Sequence, residues 1–174
     1  MPTSRFVERL NDQVGHELAA HNQYLACAIH YDAMTMPQMA AHFYAQALEE
    51  RSHALMMVQY LLDTDAEIAI PAIEAPRSSF ADVVAPVELA LEQEKRVTAQ
   101  INDLLVIARE EADFASEQFL QWFIKEQVEE VASMTDLLAV VRRNADALES
   151  IEEYVAREGR VEDDDPSAPR VAGA

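Results

Sequence analysis

Apolar residues recur at alternating spacings of three and four along most of this chain, which is the spacing that places them on one face of an α-helix. Four long stretches carry the pattern: residues 4–33, 37–64, 86–111 and 113–142. Each would form a helix of roughly 40–45 Å at 1.5 Å per residue. One apolar face per helix predicts that the four pack together as an all-α four-helix bundle.

The connections between these stretches predict the topology. The first and third breaks are tight, so each joins two antiparallel helices. Residues 65–85 separate the second helix from the third, contain Pro71 and Pro76, and could span the whole bundle at about 3.3 Å per residue. We therefore expect a long crossover between helices 2 and 3.

The remaining C-terminal sequence divides into two parts. Residues 145–157 predict a short fifth helix, which is too short to stand alone and must pack on its own bundle or on a neighbour. Residues 158–174 are acidic and poor in large apolar side chains, which is typical of a disordered tail. We expect one domain over residues 1–157, followed by this tail.

Polar residues interrupt the apolar faces near the middle of all four helices. They are Glu17, Glu50, His53, Glu94, Gln127 and Glu130. Adding 77 to each of the first three positions gives the last three, so an E-x-x-H motif on the second helix matches a Q-x-x-E on the fourth. A single E-x-x-H is common on helix surfaces, but random placement would not repeat the whole set. Buried charges cost free energy unless they are compensated, and a bound metal would compensate several carboxylates and an imidazole together.

The ligand types indicate which metal. Carboxylate oxygens with one imidazole suit iron or manganese, and zinc less well. Di-iron carboxylate bundles take a Glu from each of two helices and an E-x-x-H from each of the other two. One metal would bind Glu17, Glu50 and His53, and a second would bind Glu50 as a bridge, Glu94 and Glu130. The second site lacks a nitrogen ligand and should be weaker, which favours iron in transit over a fixed cofactor.

Composition narrows the function classes further. The chain has 174 residues with 13 Lys and Arg against 32 Asp and Glu, a net charge of −19. This charge argues against binding to nucleic acid, which needs a basic face, and against docking on an anionic membrane. The single cysteine, Cys27, suits a reducing compartment. We see no signal-peptide pattern and no apolar run of about 20 residues, so we expect a cytoplasmic protein.

The chain resembles the bacterial non-haem ferritins over about residues 4–157. The likeness is carried by Glu17 with Tyr24 seven residues on, E-E-R-S-H at 49–53, Glu94, and Q-W-F-I-K-E-Q-V-E-E at 121–130. The resemblance implies a ferritin-like fold and a homo-oligomeric cage of 24 subunits. It also implies ferroxidase activity, in which Fe(II) is oxidised by O₂ or peroxide and stored as ferric mineral inside the cage.

The resemblance also implies roles for individual residues. Glu17, Glu50, His53 and Glu94 would ligate a di-iron centre, with Tyr24 and Gln127 beside it as the expected catalytic residues. A third iron site would use Glu49, Glu126, Glu129 and Glu130. No haem is predicted, because bacterioferritins have a second E-x-x-H and a haem-ligating methionine where this chain has Gln127, Glu130 and Arg51.

Two other functions fit the same pattern less well. One is a di-iron or manganese redox enzyme of the rubrerythrin or oxygenase kind, acting on a small substrate. The absence of a Cys-rich segment in the sequence counts against rubrerythrin. The other is a helical scaffold that binds no metal.

Overall fold

Five α-helices and their connections make up the computed structural model, which describes residues 2–158 and 165–173. The helices are α1 (Ser4–Ala33), α2 (Pro37–Asp63), α3 (Ala85–Glu110), α4 (Phe114–Arg143) and α5 (Leu148–Glu158). The first four form the bundle, and no β-strand occurs within the described ranges. The predicted four-helix bundle with a long crossover and a short fifth helix is confirmed.

Tight turns follow the ends of α1, α2 and α3. Each contains one residue in the left-handed region, namely Thr35, Asp65 and Ala112, at φ of 60°, 52° and 53°. The backbone N–H after each of them bonds a carbonyl five residues back, as in Met36 N to Tyr31 O at 3.0 Å. Such paired bonds satisfy the last carbonyls of a helix and stop it. After α1 and α3 the chain reverses at once, which produces the two antiparallel hairpins.

The crossover runs along α1 from its first half to its last turn. Asn11 and Gln23 each bond crossover backbone through both ends of their amides, at 2.8 and 2.9 Å. Farther along, the Tyr31 hydroxyl donates to a crossover carbonyl at 2.7 Å. Between these points Pro71 packs against Gly15 so closely that a Cβ there would lie 2.3 Å from Pro71 Cγ. The crossover is thus fastened to α1 at several points, which places α3 antiparallel to α1.

The apolar core consists of two clusters. One, toward the end that carries α5, includes Tyr31, Phe43, Val87, Met134, Val141 and Ile151. The other, toward the start of α1, includes Phe6, Leu10, Met57, Leu61, Leu104 and Leu120. Buried polar residues from all four long helices lie between them. The centre described below therefore occupies a polar layer inside an otherwise apolar bundle.

Helix α5 packs on its own bundle, which resolves the alternative left open by the sequence. Its Ile151 and Val155 are buried. The Glu152 carboxylate accepts hydrogen bonds from the backbone N–H groups of Gln38 at 2.8 Å and Met39 at 2.9 Å. These N–H groups belong to the first turn of α2, where a carboxylate is also favoured by the helix dipole.

Residues 165–173 lie against α2 and α4. Asp165 accepts hydrogen bonds from Trp122 Nε1 at 3.1 Å and from Lys125 Nζ at 3.3 Å. The backbone N–H of Ala172 donates to Leu55 O at 3.2 Å. The rest of the acidic tail predicted as disordered, residues 159–164 and Ala174, lies outside the described residues.

None of the described helices combines the length and apolar character that crossing a membrane requires.

Candidate metal centre

Three side chains from α1 and α2 meet in the middle of the bundle. Glu17, Glu50 and His53 each offer a ligand atom within 4.8 Å of the others, and they are only 1%, 2% and 3% exposed. Residues three apart share a helix face, so the E-x-x-H of α2 turns both of its members toward Glu17. The Nδ1 atom of His53 lies 3.6 Å from Glu50 Oε2. The structure thus brings together the trio that the sequence assigns to the first metal.

Two carboxylate oxygens of this trio are buried without a hydrogen-bond partner among the described residues. They are Glu17 Oε2 and Glu50 Oε2. The other oxygen of Glu17 accepts a hydrogen bond from Gln13 Nε2 at 2.8 Å. Buried polar atoms are normally hydrogen-bonded, and leaving one without a partner is costly. A cation between these oxygens and the imidazole would remove that cost.

The opposite half of the centre is built differently. Glu94, fully buried on α3, accepts a hydrogen bond from the Tyr24 hydroxyl at Oε1 and one from Gln127 Nε2 at Oε2, the latter at 3.4 Å. Both of its oxygens therefore already face donors. The two halves, which the offset of 77 relates in sequence, differ in how well their carboxylates are satisfied without a metal.

Burial and mutual repulsion raise the pKa values of two carboxyl groups of the centre, those of Glu50 and Glu94. For Glu50, burial is the largest cause, followed by the charges of Glu94 and Glu17, and its pKa is held well above the ordinary 4.5. Burial also raises the pKa of Glu94, to about 7, against the opposing hydrogen bond from Tyr24. The pKa of Tyr24 itself is raised well above 10, first by burial and then by the charges of Glu94 and Glu50. Glu94 is therefore partly protonated near neutral pH in the metal-free centre, and metal binding must displace that proton.

Glu130 is buried, at 1% exposure, and faces the same centre. Its charge contributes to the raised pKa of both Glu50 and Glu94. It lies outside the group of three that could hold one metal. The assignment of Glu130 to a second metal stays a prediction.

A second group of possible ligands lies on α2 and α4. Glu49, His53 and Glu126 offer atoms within 4.8 Å of one another. Glu49 also accepts a hydrogen bond from Gln46 Nε2 at 2.7 Å. Glu129, predicted for the same third site, is instead exposed and lies 3.9 Å from Lys125 Nζ. The structure thus joins two of the four predicted residues and adds His53 to them.

Sequence reasoning missed three polar residues that support the centre: Gln13, Thr98 and Gln46. Gln13 is four residues before Glu17, and Thr98 is four residues after Glu94. That spacing of one turn was the available signal. His21 has the same spacing from Glu17, but its Nδ1 atom lies 2.6 Å from Ala47 O, so this ring atom contacts backbone and not the ligands. Trp122 contacts His53 edge-on, with ring centroids 5.5 Å apart.

Fold and site together define an all-α bundle with a buried, carboxylate-rich centre suited to metal ions. The family model for the ferritin-like domain matches residues 7–144. The chain belongs to the ferritin family, which confirms the resemblance stated from the sequence.

Individual ferritins are similar to this chain in sequence and in structure. Ferritin BfrB of Mycolicibacterium smegmatis is 49% identical over 170 residues, covering 98% of this chain and 94% of that protein. A bacterial non-heme ferritin of Staphylococcus aureus is 37% identical over 132 residues, covering 76% of this chain and 80% of that protein. Among solved structures, an open pore ferritin from Archaeoglobus fulgidus superposes with a TM-score of 0.86 at 29% identity, covering 90% of this chain and 97% of that one.

Proposed function

We propose that this protein stores iron and is a ferroxidase that oxidises Fe(II) with O₂ or peroxide at the centre inside each bundle. Membership of the ferritin family supports iron storage. The observation that carries the finer proposal is the Glu17–Glu50–His53 group, with two buried carboxylate oxygens that have no hydrogen-bond partner. Carboxylates with one imidazole are ligands that suit Fe(II).

Two irons, bound as substrates, account for the chemistry. The first would bind Glu17, Glu50 and His53. The second would bind on the other side of Glu50, with Glu94 and Glu130 as its carboxylates. Each Fe(II) gives up one electron, so a pair supplies the two electrons that reduce O₂ to peroxide or peroxide to water.

The unequal halves favour iron in transit. A metal at Glu94 shares its carboxylate with the donors Tyr24 and Gln127 and gains no nitrogen ligand. A metal at the first position gains His53 and relieves two unpaired oxygens. We therefore expect the first position to fill before the second and the second to release its iron more readily. Release after oxidation suits storage better than a permanent cofactor.

The stored mineral requires an enclosed space, which we propose is a homo-oligomeric cage of 24 subunits. Large apolar side chains on the surface of the single chain support assembly: Ile29, Leu48, Phe114 and Val128 are 60%, 59%, 74% and 68% exposed. Contacts between copies of the chain would bury such side chains. The Glu49–His53–Glu126 group would be a third iron position along the route out of the centre.

One experiment tests storage and assembly together: the particle mass and the iron content per particle after aerobic loading with Fe(II). We expect about 470 kDa for 24 chains of 19.5 kDa, with ferric iron far in excess of two per chain and still in solution. A monomer or dimer would contradict the cage. About two metals per chain that do not increase on further loading would favour the alternative, a redox enzyme acting on a small substrate.

A pair of variants tests the centre. Glu50→Ala combined with His53→Ala should abolish fast Fe(II) oxidation. Glu92→Ala, at an exposed position on α3, is the control and should leave it intact. Unchanged oxidation in the double variant would indicate that the bundle is a scaffold with no metal centre.

A further inference from the structure

Thr98 makes two short contacts beside the centre. Its Oγ1 atom lies 2.7 Å from the backbone oxygen of Glu94, one turn earlier on α3, and 2.9 Å from Gln127 Oε1 on α4. The other end of the Gln127 amide, Nε2, lies 3.4 Å from Glu94 Oε2. Thr98, Gln127 and Glu94 thus form a small closed set of contacts between two helices.

The direction of these bonds follows from the atoms involved. An amide oxygen has no proton and can only accept, whereas a threonine hydroxyl can donate. The Thr98 proton is therefore shared between two oxygens, the Glu94 carbonyl and Gln127 Oε1. Since the amide oxygen is held by Thr98, the NH₂ end of Gln127 is the one that faces Glu94.

We propose that Thr98 is a positioning residue, which fixes the amide orientation of Gln127 and through it the Glu94 carboxylate at the second metal position. The inference rests on the proposed function, because it concerns the ligand set of the same centre. With the amide reversed, Gln127 Oε1 would face Glu94 Oε2, and two acceptors would oppose each other. Among the described residues, the carboxylate would then keep one donor, Tyr24, and would rotate more freely.

In the first half of the centre, a histidine stands where the second half has Thr98. Adding 77 to position 21 gives position 98, so Thr98 corresponds to His21 just as Glu94 corresponds to Glu17. His21 Nδ1 contacts the Ala47 carbonyl at 2.6 Å. Loss of the Thr98 hydroxyl should therefore affect the second metal and leave the first almost unchanged.

Stepwise titration of the metal-free protein with Co(II), without oxidant, separates the two positions by their absorption spectra. Removing a group that orients a metal ligand typically costs about 10–100-fold in metal affinity. For Thr98→Val, which keeps the shape and removes the hydroxyl, we expect the second Co(II) to bind about 10-fold more weakly. The first should stay within about twofold, and Thr98→Ser should restore the second step.

Thr135→Val is the matched control. Thr135 Oγ1 bonds the carbonyl of Val131, four residues earlier, at 2.6 Å, and it is exposed on α4. This variant loses the same kind of bond within a helix but none at the centre. Both Co(II) steps should match those of the unaltered protein.

A double-mutant cycle tests whether Thr98 acts through Gln127. In a Gln127→Leu background, Thr98→Val should cause no further loss, because the amide that Thr98 orients is gone. Three results would each overturn the inference while the proposed function stands. The losses in affinity for the second Co(II) could be additive in the double variant, or Thr98→Val alone could leave that affinity unchanged. Thr98→Ser could also bind the second Co(II) as weakly as Thr98→Val. If the unaltered protein showed neither two Co(II) steps nor Fe(II) oxidation, the proposed function would fail and this inference with it.

Discussion

The Tyr24 hydroxyl on α1 donates a hydrogen bond to Glu94 Oε1 on α3, across the middle of the bundle. Tyr24 is fully buried, and the centre raises its pKa well above 10, chiefly through burial. The phenol therefore remains protonated and remains a donor over the whole neutral range. This bond ties Glu94, the proposed ligand of the second metal position, to the helix that carries Glu17.

Replacing Tyr24 by Phe should weaken both the fold and the second metal position. A hydrogen bond to a charged group is worth about 1.5–3 kcal/mol, so we expect the free energy of unfolding of the metal-free protein to fall by that order at pH 8. The second Co(II) should also bind more weakly.

Tyr31→Phe is the control for this variant. Tyr31 is equally buried, and its hydroxyl donates to the Val83 carbonyl at 2.7 Å, outside the centre. It should lower stability, by about 1 kcal/mol, without changing either Co(II) step. Identical metal titrations in both variants would show that the bond from Tyr24 does not position Glu94 as a ligand.

Replacing Glu94 by Ala should slow Fe(II) oxidation and leave assembly intact. Glu94 is 0% exposed in the single chain, so no other subunit can contact it. Loss of a ligand should cost at least the roughly 10-fold that loss of an orienting group does. Stopped-flow measurement of the initial rate of Fe(II) oxidation checks the first expectation, and particle mass from light scattering checks assembly. A normal initial rate in an assembled variant would show that Glu94 is not a ligand of the iron that is oxidised.

The stability of the metal-free protein should fall as the pH rises from 5 to 8. Glu94 has a pKa of about 7 in the folded protein against an ordinary 4.5, so the folded state binds more protons than the unfolded state between these values. Stability is then lost as the pH rises through that window, by on the order of 3 kcal/mol for this group. Below about pH 4.5 this carboxyl group is protonated in both the folded and the unfolded state, so it no longer makes stability depend on pH.

Glu94→Gln separates this titration from the others. The amide cannot ionise, so the fall in stability between pH 5 and 8 should be smaller than in the unaltered protein. Unfolding midpoints with a chelator present measure it, and equal slopes for both proteins would contradict the prediction. With added Zn(II), stability should instead increase as the pH rises, because metal binding displaces protons and therefore strengthens at higher pH.

Periodicity made the fold predictable from the sequence, together with the meeting of Glu17, Glu50 and His53. A helix fixes where residues three, four and seven apart lie, so Glu50 and His53 had to share a face. Glu17 precedes Thr35 by 18 residues and Glu50 follows it by 15, so both fall near the same level of the bundle. These relations need only the geometry of regular helices and tight hairpins.

Single hydrogen bonds between elements were not predictable. Nothing in the spacing of Gln13 or Thr98 says which partner each will contact, because that depends on side-chain rotamers on neighbouring helices. The hydrogen bonds from Asn11 to the crossover were unpredictable for a related reason. The crossover is irregular, so its sequence has no periodic pattern that shows which of its residues will face Asn11. The contact of Asp165 with Trp122 depends on the path of a non-helical segment, which composition alone does not reveal.

Replacing Gly15 by Ala should destabilise the protein, although alanine is the better helix former. The added Cβ would lie 2.3 Å from Pro71 Cγ in the crossover, and relieving such an overlap typically costs about 1–3 kcal/mol. The gain in helix propensity is only about 1 kcal/mol. Thermal unfolding should show a lower midpoint, and Pro71→Ala in the same chain should recover much of it by removing the clashing ring atom. A midpoint raised by Gly15→Ala alone would mean that the crossover does not pack against α1 here.

Removing the chain after Glu158 should expose Trp122. This is the only tryptophan, and its indole N–H donates to Asp165 at 3.1 Å, while Ala168 and Val171 pack on the adjoining apolar cluster. Without the segment the indole should meet more water, so its fluorescence should shift to longer wavelength and acrylamide should quench it more strongly. Asp165→Asn in the full chain keeps the packing but loses the carboxylate, and should give a smaller change. Because Trp122 is the sole reporter, identical spectra for the full and shortened chains would show that residues 165–173 do not rest on α4 in solution.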